Sequence, residues 1–471
     1  MIKKNSIIID KFKSNDNSLI NRFIKAIFYG VGGAVGSRFF MLVSGIIISR
    51  IIGKDSYGEF SHVNSTVTLF VTFSGMGISS TLTRYIAINK QDTYKTSIIV
   101  GTLSKVVVIF SAIMSIGMYF LSKPISILTT ETDTLTNYYR FASIAILFAA
   151  LSSIEQSILL GFEKFKASST IEVLRTALYL IVSIVFTLRF GIYGAIISLI
   201  ITFMTKYVLM RLVNSKHYKK IGIIPKTDFN NEIKGIIKTF TIPAFLSSIF
   251  VLPINWINNS LLAKYSGFGE LAIFAVSLQW MTLITFIPYQ LSKVKPIYSD
   301  LYNKKSYDSL FKYSKKISIL LSFFVGLIVI IGIAFGKIIL SLYGDGYLSG
   351  IIPFRIMLLS AFIITIQSQI GPLIESIGKM WIGLTLNLVW SFSILVIFYF
   401  LRHYGSLGYS ISYLASYFIH TVFSFTCLYY IRKKEKLYGD KKDWHIFHIT
   451  FSCSRYFCYS ISWYKYHKKI A

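Results

Sequence analysis

Apolar residues along this chain come in continuous stretches of roughly 20 to 25, each long enough to cross about 30 Å of hydrocarbon as a helix. About twelve such stretches fall at 27–50, 60–82, 97–121, 139–160, 171–190, 193–213, 239–263, 269–292, 317–341, 353–374, 381–401 and 408–431. Runs such as Val106-Val107-Val108-Ile109-Phe110 and Leu327-Ile328-Val329-Ile330-Ile331 are apolar at every position. A membrane β-barrel instead needs strands of about ten residues alternating in polarity, because one face meets lipid and the other the lumen. The pattern therefore predicts an all-α integral membrane protein.

Composition agrees. Of 471 residues, 54% are hydrophobic and 15% charged, which is more apolar surface than one soluble core can hide. The net charge of +29 would suggest nucleic acid in a soluble protein; here its placement matters more. Lys3, Lys4, Lys11, Lys13, Arg22 and Lys25 precede the first span, and Arg211, Lys216, Lys219, Lys220, Lys226, Lys234 and Lys238 crowd one later connection. Arg84, Lys90, Lys95, Lys164 and Lys166 fall on that same face, whereas the alternate connections hold little beyond Arg50, Lys54, Lys123, Arg189, Lys264 and Arg402. The positive-inside rule makes the rich face cytoplasmic, and an even span count puts Arg432-Lys433-Lys434-Glu435-Lys436 there as well. Both termini are expected in the cytoplasm of a bacterium, the bundle in its inner membrane, and the basic excess against anionic lipid rather than nucleic acid. No apolar segment with a cleavage site precedes the first span, so no cleaved signal peptide is expected.

The longest internal polar interval, about Asn214 to Lys238, divides the spans into two sets of six. The expected organisation is a basic N-terminus over 1–26, an N-lobe over 27–213, a linker over 214–238, a C-lobe over 239–431 and a basic, aromatic tail over 432–471. The halves echo one another. Gly191-Ile192-Tyr193-Gly194-Ala195 corresponds to Gly405-Ser406-Leu407-Gly408-Tyr409, and Gly161-Phe162-Glu163-Lys164-Phe165 to Ser376-Ile377-Gly378-Lys379-Met380. Parallel repeats of this kind place a substrate site between the lobes and give alternating access by rocking one lobe on the other.

Ile51-Ile52-Gly53-Lys54-Asp55-Ser56-Tyr57-Gly58-Glu59-Phe60 resembles the G-x-x-x-Y-G-x-F/Y signature of polysaccharide flippases. The ends of span 2 (Gly75 to Tyr85) and span 4 (Gly161 to Phe165) are similar to that family too, as are Pro243, Trp256 and Pro296. These Wzx-like O-antigen and capsule transporters belong to the superfamily of MATE drug exporters and lipid II flippases. The resemblance covers about residues 25–435 and rests on structural turns, not catalytic signatures. It implies two six-helix lobes and the flipping of undecaprenyl-pyrophosphate-linked oligosaccharide across the cytoplasmic membrane. A polysaccharide polymerase and chain-length proteins are the implied partners, and the drive is secondary.

An ionised side chain at mid-membrane costs roughly 2.5–3.5 kcal/mol even on lenient scales, so each needs a partner or a wet cavity. Arg38 in span 1, Lys105 in span 3 and Lys206 in span 6 would, if they face the space between the lobes, form a cationic lumen for a pyrophosphate or acidic sugars. Alternatively, Lys105 and Lys206 snorkel. Span 7 carries Asn255, Trp256, Asn258 and Asn259 just after Pro253. Asn255 and Asn259 are i, i+4 and share a face, which with Gln279 and Trp280 of span 8 suits sugar hydroxyls and rings; interhelical hydrogen bonding is the alternative. Gly32 and Gly36 read as a helix-packing pair. Glu155 and Glu375 are the candidates for coupling to a proton or sodium gradient, though Glu155 also suits a structural ion pair.

No nucleotide-binding loop, dinucleotide fingerprint, catalytic set or metal site is expected, since His445, His448, Cys453 and Cys458 lack zinc spacing. Two other functions stay open: export of another amphiphile such as a drug, and a membrane polymerase or glycosyltransferase. The enzyme reading needs convergent carboxylates outside the membrane, and the longest outer connection offers only Glu131 and Asp133. The tail from about Trp444 to Tyr464 departs from the family pattern and suits an interfacial segment or a shifted reading frame.

Overall fold

The computed structural model describes residues 32–75, 77–248, 250–291 and 295–438. The basic N-terminal segment and residues 439–471, including the tail histidines and cysteines, lie outside them. The described residues are helical almost throughout, with no strand among them, and nine of their helical stretches are long and apolar enough to cross a membrane.

The first half runs through α1 (Gly32–Ile52), α2 (Lys54–Gly75), α3 (Ile78–Ile88), α4 (Thr93–Thr130), α5 (Thr136–Gly161) and α6 (Phe165–Ile221). The expected second span is two helices because Gly77, at φ +74°, turns the chain where a side chain would strike the Thr241 carbonyl. α4 begins where the Asp92 side chain accepts from the Lys95 amide at 2.9 Å, an N-cap that satisfies an otherwise orphaned donor. A short α7 (Asn231–Ile236) continues through one π turn, Ile237–Thr241, into α8 (Ile242–Ser248). The second half comprises α9 (Val251–Ser266), α10 (Phe268–Leu291), α11 (Lys295–Asn303), α12 (Tyr307–Ala334), α13 (Gly336–Ser341), α14 (Ile351–Gln367), α15 (Ile370–Ser376), α16 (Met380–Leu401) and α17 (Gly405–Tyr438).

The sequence echoes take the same backbone in both halves. Gly191 (φ 55°, ψ −131°) interrupts the 57-residue α6, and Gly405 (φ 60°, ψ −142°) separates α16 from α17. Three residues on, Gly194 lies against the Phe186 carbonyl and Gly408 against the Leu401 carbonyl, with no room for a Cβ at either. After α5, Glu163 has φ 59° and the Lys164 amide reaches back to Leu159 O at 2.8 Å; after α15, Gly378 has φ 74° and the Lys379 amide reaches Ile374 O at 3.1 Å. Both are Schellman-type closures that satisfy terminal carbonyls.

Lipid is as apolar as leucine, so helices in a bilayer associate through close packing and polar contacts. α5 packs on α4 and α6, α14 on α10, α12 and α17, and α16 on α17, while α2 lies along both α5 and α10. The close approach of α1 to α6 is made by Gly33, where an added methyl would fall 2.6 Å from the Ser169 Cβ; Gly32 meets nothing within 4 Å. The Gly32 and Gly36 pairing expected from spacing is thus one residue out of phase with the tightest contact. On α12, Ile319, Phe323, Ile330 and Ile331 are exposed, as a lipid-facing helix requires.

Candidate functional site

A cavity of about 490 Å³ lies between the two helix sets. Met41 and Gly45 of α1 and Tyr57, Asn64 and Thr68 of α2 form one wall; Asn255, Trp256 and Asn259 of α9, Gln279 and Thr282 of α10, and Tyr409 and Tyr413 of α17 form the other. Asn255 and Asn259 share the lining face, as their i, i+4 spacing implies. Asn258 is fully buried and does not line the cavity.

The lining is pinned from both sides. The Trp256 indole donates to Thr66 Oγ1 at 2.9 Å. The Gln279 amide donates to the Met41 carbonyl at 3.2 Å and accepts from the Tyr343 hydroxyl at 3.3 Å. α1 comes this close to α10 because Gly45 has no side chain; a Cβ there would lie 2.8 Å from Gln279 Nε2. Trp280 donates to the Tyr343 hydroxyl at 3.1 Å and supports the wall from behind.

The charges expected in the lumen are distributed differently. Arg38, half-buried, donates to the Thr282 carbonyl at 3.2 Å with its guanidinium 4.5 Å from the Phe286 ring centre. It therefore sits at the cavity rim, one helical turn from Met41. Lys206 is buried behind α1, 2.8 Å from Glu172 Oε2 and donating to Gln156 Oε1 at 3.0 Å; Arg175 pairs with the same Glu172 at 2.7 Å. Lys105 is exposed on α4 and is not among the residues lining the cavity. Glu155 pairs with Arg211 at 3.0 Å and accepts from Asn214 at 2.6 Å. Glu375 lines a separate cavity of about 330 Å³ with Gln367, Asn387, His420 and Ser424, where His420 Nδ1 is 2.7 Å from Gln367 Oε1.

The helix sets are in close contact at the end holding Lys54 and Phe268, and also at the other end, where Thr81 Oγ1 lies 3.0 Å from Thr241 Oγ1. Gly58 lies flat against the Phe268 carbonyl. Ser49 donates to the Tyr347 hydroxyl at 2.7 Å, and Arg50 reaches the Leu342 and Ser341 carbonyls at 2.6 and 2.9 Å. His62, fully buried, joins α5, α2 and α9: its Nδ1 is 2.7 Å from Tyr139 Oη and its Nε2 3.0 Å from Ser260 Oγ. Ser260 gives its own proton to the Trp256 carbonyl at 2.9 Å. The network thus assigns the neutral tautomer in which Nε2–H donates to Ser260 and Nδ1 accepts from Tyr139.

Sequence reasoning missed Glu172, Arg175, His62 and His420. The available signal was a titratable residue inside an apolar run, strengthened for Glu172 and Arg175 by their i, i+3 spacing.

A helical membrane bundle with a cavity between its two helix sets defines a polytopic membrane protein. Its fold matches a multidrug-resistance MATE-family transporter in its inward-facing conformation, with a TM-score of 0.70 at 17% identity over 86% of this chain and 96% of that one. It equally matches the lipid II flippase MurJ in an inward closed conformation, with a TM-score of 0.70 at 15% identity over 87% of this chain and 90% of that one. The chain belongs to the polysaccharide biosynthesis protein family, whose model matches residues 23–287. The EPS I polysaccharide export inner membrane protein EpsE of Ralstonia solanacearum is 24% identical over 58% of this chain, a match spanning 62% of that relative's length. EpsE of Ralstonia nicotianae is 23% identical over 78% of this chain and 84% of its own.

Proposed function

We propose that this protein flips undecaprenyl-pyrophosphate-linked oligosaccharide repeat units across the bacterial cytoplasmic membrane by alternating access, for O-antigen, capsule or exopolysaccharide assembly. The observation that carries the reading is the cavity between the helix sets, lined by amides, hydroxyls, tyrosines and Trp256, with Arg38 on its rim. Amides and hydroxyls exchange hydrogen bonds with a saccharide, and a guanidinium pairs bidentately with phosphate oxygens. With both termini in the cytoplasm, the seam at Lys54 and Phe268 is the outer gate, and rocking the lobes opens it and the opposite end in turn. A proton or sodium gradient is the drive, with Glu155 and Glu375 as the coupling candidates. EpsE's designation as a polysaccharide export inner membrane protein supports both substrate class and location.

The test is glycan display in cells lacking the gene, complemented with wild type or Arg38→Ala. The expected result is loss of surface glycan with intact repeat units trapped in the cytoplasmic leaflet, and continued failure of Arg38→Ala at normal expression. Arrival of single units at the outer face, with only polymerisation failing, would overturn the reading in favour of a membrane enzyme.

A further inference from the structure

The cavity sets a few uncharged polar groups among apolar walls that include Met41, Phe60, Leu252 and Phe274. Among the described residues lining it there is no Asp, Glu, Lys, Arg or His; its polarity comes from Asn64, Asn255, Asn259, Gln279 and hydroxyl groups. Each amide presents an acceptor oxygen beside a donor nitrogen, which is the complement of sugar hydroxyls and acetamido groups, since these also donate and accept. Trp256 and the tyrosines add flat apolar faces against which ring C–H groups pack. At about 490 Å³ the space falls in the range that encloses drug-sized ligands, roughly 300–1,000 Å³.

A sugar carboxylate fits this lining badly. It only accepts hydrogen bonds, so it meets the amide oxygens repulsively, and leaving water without a countercharge is strongly unfavourable. Nearby cations do not supply that countercharge. Arg38 is at the rim, bonded to the Thr282 carbonyl, and Arg175 and Lys206 are paired with Glu172 behind α1.

Resting on the reading that this cavity carries the saccharide, we propose that the transported glycan is uncharged: neutral and N-acetylated sugars occupy the cavity, and the diphosphate stays at the rim with Arg38. The negative charge of the cargo is confined to its linker, which Arg38 meets at the rim.

The full-length protein in proteoliposomes is offered lipid-diphosphate oligosaccharides of one length and one lipid, differing at a single sugar: a hexose, an N-acetylhexosamine or a hexuronic acid. Competition for binding and initial translocation rate are read separately. Expected are equal competition by the first two probes and weaker competition by the hexuronic acid by about tenfold or more, with the gap narrowed in Asn259→Lys. Equal or tighter binding of the hexuronic acid by wild type overturns the inference whether or not Asn259→Lys folds. Discrimination in binding with no translocation of any probe leaves the cavity's preference standing and instead refutes the flippase function.

Discussion

Alanine at Gly58 separates two effects that usually travel together. Within a helix, Gly→Ala gains up to about 1 kcal/mol of intrinsic propensity, but α2 is helical whether the seam is open or closed, so that gain cancels from the conformational equilibrium. The clash does not cancel. Gly58 lies against the Phe268 carbonyl with no space for a Cβ, and the neighbour is backbone at the start of α10, which cannot rotate away. Overpacking of this kind costs about 1–3 kcal/mol, paid only with the seam closed, which shifts the open-to-closed ratio about 5- to 150-fold. Ser61 lines the cavity and serves as reporter: Ser61→Cys in a chain whose three native cysteines are replaced by serine. Labelling by a membrane-impermeant maleimide from the face bearing Lys54 should accelerate at least about fivefold in Gly58→Ala. An unchanged rate, with thermal stability also unchanged, would refute the seam as the closed gate.

Glu172→Gln leaves Arg175 and Lys206 buried without their carboxylate; it should lower stability by about 3–5 kcal/mol, read as a fall in Tm in detergent, and the double variant with Lys206→Met should recover part of that loss. Gly191→Ala and Gly405→Ala each force a side chain into backbone space that only glycine occupies easily, at about 1–3 kcal/mol; both should lower Tm, whereas alanine at Gly32, which meets nothing within 4 Å, should not. Trp256→Phe keeps an aromatic face but deletes the bond to Thr66, a loss of about 1 kcal/mol, so transport should fall modestly, while Asn255→Leu with Asn259→Leu should abolish it at normal expression. Equal transport by these two variants would contradict the assignment of the amide face to substrate.

The helices were legible because lipid imposes a length and a polarity that few sequences meet by chance. The repeat was legible through its glycines: Gly191 and Gly405 take backbone angles that other residues rarely adopt, and the matching closures at Lys164 and Lys379 follow from the same local geometry. Within the site, the Asn255 and Asn259 face followed from helical periodicity alone. Lys206 was not legible as a paired group because its partner Glu172 belongs to the other arm of α6, and a chain read linearly does not show which arms meet. The same holds for His62, whose partners come from α5 and α9. The break at Gly77 was hidden because the apolar run continues through it, and the carbonyl that demands a glycine there comes from Thr241.

The most direct test is reconstitution of the purified protein alone into liposomes carrying a lipid-diphosphate oligosaccharide in one leaflet, with an impermeant glycosidase outside to report arrival. Alternating access through the central cavity gives protein-dependent cleavage of the initially protected fraction, abolished in the Asn255→Leu and Asn259→Leu double variant and slowed in Arg38→Ala. Cleavage no faster than in empty liposomes, from protein that is folded and imposed upon by either a proton or a sodium gradient, would contradict it.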